Sequence, residues 1–162
     1  MNKNVVIISY EVNFVMGSMR SLLEENGYGV TMLKPLVSSI NNMLPTTDVF
    51  FVSPAGMDTS AVYNLMVFMK DICLEKSKFV IPIGDKVDIE LIRKCLPEEV
   101  IPDEVEKPFS VEKFKKIMAN VENIIDNELN RKKILIIDDN KISLKKTQNL
   151  LAGKYNVTIA TS

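Results

Sequence analysis

Short apolar runs of strand length alternate five times with stretches of helical spacing, and this alternation limits the fold more than any other feature. The predicted strands lie at 5–8, 30–33, 49–52, 79–83 and 100–106. The predicted helices lie at 12–26, from 38 or 39 to before Pro45, 58–75, 88–96 and 111–130. Strands rich in β-branched and aromatic residues are typical of burial on both faces. Five strand–helix repeats with short links therefore predict an α/β protein with a parallel sheet covered by helices on both faces.

Capping residues fix the predicted starts of four helices. The candidate caps, in chain order, are Ser38 or Ser39, then Asp58, Thr59 or Ser60, then Asp88, and last Ser110. Each is expected to accept a hydrogen bond from a first-turn amide. Pro82 falls in a strand that should be internal, so we expect it near the end of that strand, where its missing N–H matters less.

Composition excludes several classes of function. The 162 residues are 46% hydrophobic, enough for a packed core, and the net charge of -1 argues against a nucleic-acid module. The absence of histidine rules out histidine-dependent catalysis, histidine zinc sites and a phosphohistidine carrier. No run of 18 apolar residues is present, and the start is a poor signal peptide. Cys73 and Cys95 are expected to be buried small apolar groups of a cytoplasmic protein.

The predicted helix at 111–130, which follows the fifth strand, is unusually long. Its apolar stripe, over about five turns, exceeds what covering one strand requires, so we expect a rigid connector or a surface that pairs with another chain. A strand at 133–138, a helix at 142–151 and a strand at 156–160 follow before the chain stops at Ser162. So short an open sheet cannot bury both faces, and we expect its edge at 157–160 to pair with a second chain or to be poorly ordered. The predicted divisions are 1–118, a helical connector at 119–132, and a truncated unit at 133–162.

The chain contains two copies of one opening, which differ in charge. Residues 133–140 read KILIIDDN, and residues 4–11 read NVVIISYE. Asp138 and Asp139 place paired carboxylates at the end of a strand, which suits a hard divalent cation. Ser9 and Tyr10, at the matching positions of the first copy, carry no such charge.

This order of elements, with an acidic pair after the first strand and Lys-Pro-Phe after the fifth, resembles the receiver domain of two-component response regulators. The resemblance covers residues 1–120 once and 133–162 as the first third of a second copy. It implies a flavodoxin-like, doubly wound (βα)5 fold with strand order 2-1-3-4-5. It also implies a site in which the acidic pair and a phospho-accepting aspartate ending strand three hold magnesium. A hydroxyl ending strand four and a lysine ending strand five bind the phosphoryl group.

The first copy departs from this pattern at four of five positions. Ser9 and Tyr10 replace the acidic pair, Ser53 replaces the acceptor aspartate, and Gly84 replaces the hydroxyl. Lys107 alone matches. Without carboxylates there is little to hold magnesium and no nucleophile for acyl-phosphate formation, so we expect no cofactor and no phospho-acceptor in this domain.

Two further acidic sets bear on metal binding. Glu11 and Asp85 offer an alternative, weak cation site, although acids at strand ends are mostly solvated turn residues. In the second copy, Asp138 and Asp139 are candidate Mg²⁺ ligands, but the segment lacks strands three to five and so holds neither acceptor nor lysine. Magnesium is thus expected only for a complete second receiver.

The favoured hypothesis is a non-enzymatic pseudo-receiver, an interaction module of a tandem-receiver response regulator in a phosphorelay. Its expected partners are proteins: a second receiver, an output domain, a histidine kinase, or a second copy bound through the last helix or the C-terminal segment. The alternative is a flavodoxin-like nucleotide- or flavin-binding domain. For that role, the turn at 9–13 lacks glycines that would let amides cradle phosphate, and 53–56 is the only loop suited to approach a ligand.

Overall fold

The strands of the first unit form one parallel sheet, in the order β2-β1-β3-β4-β5 that the resemblance implied. They are β1 (Asn4–Ser9), β2 (Gly29–Leu33), β3 (Val49–Ser53), β4 (Phe79–Gly84) and β5 (Val105–Glu106). The helices are α1 (Phe14–Glu25), α2 (Val37–Met43), α3 (Thr59–Lys76), α4 (Lys86–Cys95) and α5 (Val111–Leu129). The doubly wound α/β prediction is confirmed.

A computed structural model describes residues 1–130, 132–151 and 155–161. The chain divides into two compact units, Met1–Asn123 and Ile124–Ser162, and this division falls inside α5. The predicted divisions at 118 and 132, and the identity of the second unit, stay predictions. None of the described helices is long and apolar enough to cross a membrane.

Both faces of the sheet are buried. One face contributes Val6, Ile8, Phe50 and Val52 to a core cluster that includes the inner side of α3. Side chains alternate along a strand, so the residues between these face the other side, and they too are buried. Burial on both faces explains why β1 and β3 read as unbroken apolar runs.

The carboxylate of Glu122 joins the middle of α5 to residues that directly precede β1 and β2. The Oε1 atom of Glu122 accepts a hydrogen bond from Lys3 Nζ at 2.8 Å and another from the Tyr28 hydroxyl. The Lys3 ammonium also lies 4.6 Å from the centre of the Tyr28 ring. Because Tyr28 is buried, this contact fixes α5 where it covers the first unit.

Two predicted helix caps and the predicted length of the fifth strand were wrong. Ser38 and Ser39 lie inside α2, whose N-cap is Leu36. Asp85 is the N-cap of α4, and Asp88 is its capping-box partner three residues on. The fifth strand is only two residues long, because much of 100–106 lies in irregular backbone instead of the sheet.

Pro82 lies in the interior of β4, opposite Val52 of β3, and not near the strand end as predicted. The pairing between β4 and β5 covers Ile83 and Gly84. The proline therefore lies before the segment that β5 pairs, where a missing N–H is tolerated.

Burial raises the pKa of both cysteine thiols. Cys73 is buried, and burial raises the pKa of its thiol to about 12, against a smaller lowering effect of Lys78. Cys95 is half-buried, and burial raises its pKa as well. The prediction of two buried cysteines is thus confirmed for Cys73 and only in part for Cys95.

The second unit is a strand–helix–strand segment, as predicted. Strand β6 (Lys132–Asp138) pairs in parallel with β7 (Tyr155–Thr161), and α6 (Lys141–Leu151) connects them. Residue 131 of the predicted connector and residues 152–154 and 162 of the predicted second receiver lie outside the described residues.

Truncation of one core methionine tests this packing. Met66 of α3 is fully buried in the cluster on one face of the sheet, whereas the next residue, Val67, is 64% exposed. We expect Met66→Ala to lower the free energy of unfolding by about 2–5 kcal/mol. The matched control Val67→Ala should change it by less than about 0.5 kcal/mol in urea denaturation. Equal effects of the two substitutions would contradict the assigned faces of α3.

Candidate functional site

Two serines end neighbouring strands at the carboxyl edge of the sheet. Ser9 of β1 and Ser53 of β3 are register partners in the parallel ladder and lie on the same face. In an open α/β sheet, this edge beside the point where strand order reverses is where ligands bind. The structure thus brings together two positions that the resemblance assigned to one site.

Neither serine is arranged as a nucleophile. The Ser9 hydroxyl donates a hydrogen bond of 2.6 Å to the backbone carbonyl of Glu11. Ser53 is 1% exposed, and its Oγ has no hydrogen-bond partner among the described residues. A buried hydroxyl with no neighbouring base is neither activated nor accessible to a phosphoryl donor.

Tyr10 and Glu11 lie beside the turn that follows β3. Tyr10 is 56% exposed. A methyl group added at Gly56 would meet Glu11 Oε1 at 3.2 Å and the Tyr10 ring at 3.4 Å. The carboxylate of Glu11 thus lies beside this turn, where it would repel a phosphate approaching the loop at 53–56. This weakens the nucleotide- or flavin-binding alternative.

An acidic side chain fills the space beside Gly84, at the end of β4. A Cβ added to Gly84 would lie 2.5 Å from both Cβ and Oδ2 of Asp88. Asp88 is held there because its Oδ2 accepts from the Asp85 amide at 3.3 Å, while Asp85 Oδ1 accepts from the Asp88 amide at 2.9 Å. A carboxylate therefore lies where the resemblance would place a phosphate-binding hydroxyl.

Lys107 stands at the fifth position of the pattern. Its backbone amide donates to the carbonyl of Gly84 at 2.8 Å, which joins the ends of β4 and β5. The following peptide bond, to Pro108, is cis. The Lys107 ammonium has no hydrogen-bond or ion-pair partner in the part of the chain that the structure describes.

The first unit presents no carboxylate cluster for a divalent cation. Over the described ranges, no group of three or more Asp, Glu, Cys or His side chains is arranged to hold a metal ion. Asp85 caps α4 through its Oδ1 atom, and no hydrogen bond among the described residues joins it to Glu11. The serines that replace the acidic pair and the acceptor are neutral, so the donor set does not fit magnesium.

In the second unit, Asp138 and Asp139 lie at the end of β6, before the N-terminus of α6. The pKa of the Asp138 carboxyl is lowered, first by a side-chain hydrogen bond with Asp139 and then by the backbone amide of Asn140. That amide donates to Asp138 Oδ1 at 3.2 Å. Their role as magnesium ligands stays a prediction.

The sequence predicted Asp88 only as a helix cap, and not as a residue that shapes the site at the end of β4. The signal was present, because two aspartates three residues apart directly after a strand are typical of a capping box. What the sequence could not show is that the second aspartate lies against the preceding glycine.

Comparison with solved structures identifies the fold. The receiver domain of NtrC4, in its beryllofluoride-activated dimer, is 21% identical, with 75% of this chain and 98% of that chain covered and a TM-score of 0.53. A CheY-like response regulator receiver domain protein from Methanospirillum hungatei is 18% identical, with 77% and 98% covered and a TM-score of 0.54. The fold is that of CheY-like receiver domains.

A third similar structure carries a different description. A putative pilus assembly protein, CpaE, from Burkholderia thailandensis is 10% identical, with 74% of this chain and 98% of that chain covered and a TM-score of 0.56. No protein-family model and no curated protein matches the chain. Identities this low show a shared fold and do not carry over an activity.

The contact between Gly84 and Asp88 predicts a local cost for any side chain at residue 84. We expect Gly84→Ala to destabilise the chain by about 1–3 kcal/mol, because the added methyl group overlaps Asp88 Cβ, which cannot rotate away. The control is Gly17→Ala in α1, where a methyl group meets nothing within 4 Å. That substitution should stabilise by about 0.5–1 kcal/mol. Urea denaturation measures both, and a neutral Gly84→Ala would contradict the described approach of Asp88.

Proposed function

We propose that the first unit is a pseudo-receiver, a protein-interaction module of two-component signalling that works without being phosphorylated. The proposal rests on the residues that occupy the ends of strands β1, β3 and β4. The receiver fold is retained, while Ser9 and Ser53 stand in place of carboxylates and Asp88 fills the space beside Gly84. A fold kept without its phosphorylation chemistry favours a role in binding.

Electrostatics supports the same conclusion. Phosphoryl transfer to a receiver needs a divalent cation to neutralise the charge that gathers at the acceptor. Here a phosphoryl group beside Ser53 would have no cluster of acidic ligands to bring magnesium. It would also meet the Asp88 carboxylate beside the end of β4, where the resemblance places a phosphate-binding hydroxyl.

A surface suited to binding a protein lies along α4, the segment before β5, and α5. Arg93 Nε of α4 donates to Glu104 Oε2 at 2.5 Å, and Asn120 Nδ2 of α5 donates to Asp103 Oδ2 at 3.0 Å. These exposed contacts add little stability, but they tie the three segments into one continuous face. We propose that this face receives a second receiver, an output domain, a kinase or a second copy of the chain.

The second unit extends the proposal to a tandem arrangement. Its β6–α6–β7 order and its Asp138–Asp139 pair resemble the start of another receiver, and we propose that these two aspartates are magnesium ligands of such a second receiver. We propose that the whole protein works in the cytoplasm as a non-enzymatic response regulator. Phosphorylation, where it occurs, would then take place outside the first unit.

Incubation of the whole chain with acetyl phosphate and magnesium tests the proposal. We expect its intact mass to stay unchanged, because Ser53 is buried and has no neighbouring base. A receiver domain with an intact acceptor aspartate, treated in parallel, should gain one phosphoryl group that is lost in acid. An acid-labile phosphate located by proteolysis within residues 1–123 would contradict the proposal.

A further inference from the structure

An apolar groove of about 450 Å³ lies between α1 and the segment that joins β5 to α5. Its apolar walls come from Phe14, Val15, Leu22, Pro108, Phe109 and Val111. Phe14 is 88% exposed and Val111 is 50% exposed, so a large apolar area faces water here. Single exposed apolar residues are ordinary, but a concave set of them typically binds something.

The groove has one positive group. Lys107 is the charged member of the described residues that line it, and Ser18 adds a hydroxyl. Since the Lys107 ammonium has no hydrogen-bond or ion-pair partner among the described residues, it is available to an anion. A cation at the edge of an apolar groove is complementary to a molecule with an apolar body and one negative group.

Two helix N-termini strengthen the preference for a negative charge. Helix α1 begins at Phe14 and α5 begins at Val111, so both walls include the first residue of a helix. Asn13 and Ser110 each accept a hydrogen bond from one first-turn amide, of Met16 and Lys113, and the other first-turn amides carry partial positive charge. The first turn of α1 contains no acid, and Glu112 in the first turn of α5 is not a lining residue.

One wall of the groove is held in place by the core. The ring of Phe109 lies 5.6 Å from that of Phe114, which is 1% exposed. This contact positions Phe109 before any ligand arrives. A preformed wall lowers the entropic cost of binding.

We propose that this groove binds a small amphipathic monocarboxylate, with its alkyl or aryl body against Phe14, Phe109 and Val111 and its carboxylate on the Lys107 ammonium. Inorganic phosphate would pair with the lysine but leave the apolar walls exposed to water. A neutral hydrocarbon would cover the walls but leave the lysine unpaired. A monocarboxylate meets both requirements, and the volume is within the usual range for small-molecule sites.

Titration of the ¹⁵N-labelled chain with decanoate, kept below its micelle concentration, tests the proposal. We expect saturable shifts of the backbone amides at 14–18 and 109–111. Lys107→Gln should raise the Kd by about tenfold, since a charge-assisted hydrogen bond is lost. Decanol lacks the carboxylate and acetate lacks the apolar body. Each should therefore bind the unaltered chain no more tightly than decanoate binds Lys107→Gln. The matched control Lys70→Gln, on the exposed side of α3, should bind like the unaltered chain.

A second variant guards against loss of structure at residue 107. Val111→Asp places a negative charge on the groove at a half-exposed helix start, where aspartate suits the helix, and it should abolish binding. Equal decanoate binding by the unaltered chain, Lys107→Gln and Val111→Asp would overturn the proposal. So would shifts that appear only with phospholipid vesicles, or none at all in the unaltered chain.

Discussion

Parallel pairing of β1 with both β2 and β3 is the constraint on which the rest of the first unit depends. Buried on both faces, β1 has no tolerance for a slipped register, because a shift of one residue would exchange the two apolar faces. The same pairing sets Ser9 beside Ser53, and the parallel pairing of β3 with β4 and of β4 with β5 brings the ends of those strands to the same edge. The position of the site thus follows from the core, whatever side chains occupy it.

Because the sheet fixes the framework, the fold does not depend on which side chains end its strands. Buried carboxylates are costly unless they are paired with cations, and serine at these positions carries no such cost. At β4, glycine allows Asp88 to lie close and complete the capping box of α4. The receiver fold is retained, and the groove beside Lys107 is a separate feature of the same edge.

The strands that the apolar runs predicted were found because burial on both faces leaves a direct mark on the sequence. The apolar residues at 100–106 led to a wrong strand prediction, because Val100 and Ile101 are buried in the core without belonging to the sheet. Burial alone cannot tell a strand from an irregular segment. The cap of α4 was misplaced because Asp85 and Asp88 both suit an N-cap, and the choice depends on where β4 ends. The site positions were predictable by alignment to the strand ends, but the approach of Asp88 to Gly84 depends on backbone geometry.

If the first unit is a pseudo-receiver, its strand ends cannot hold a phosphoryl group. ¹⁹F NMR of the whole chain with magnesium and beryllofluoride, a phosphoryl mimic, measures this. We expect the signals of free fluoride species alone, because Ser53 offers no carboxylate oxygen to the beryllium and no cluster of three acidic side chains among the described residues holds the magnesium. A bound beryllofluoride signal that depends on magnesium and disappears in Ser53→Ala would contradict it.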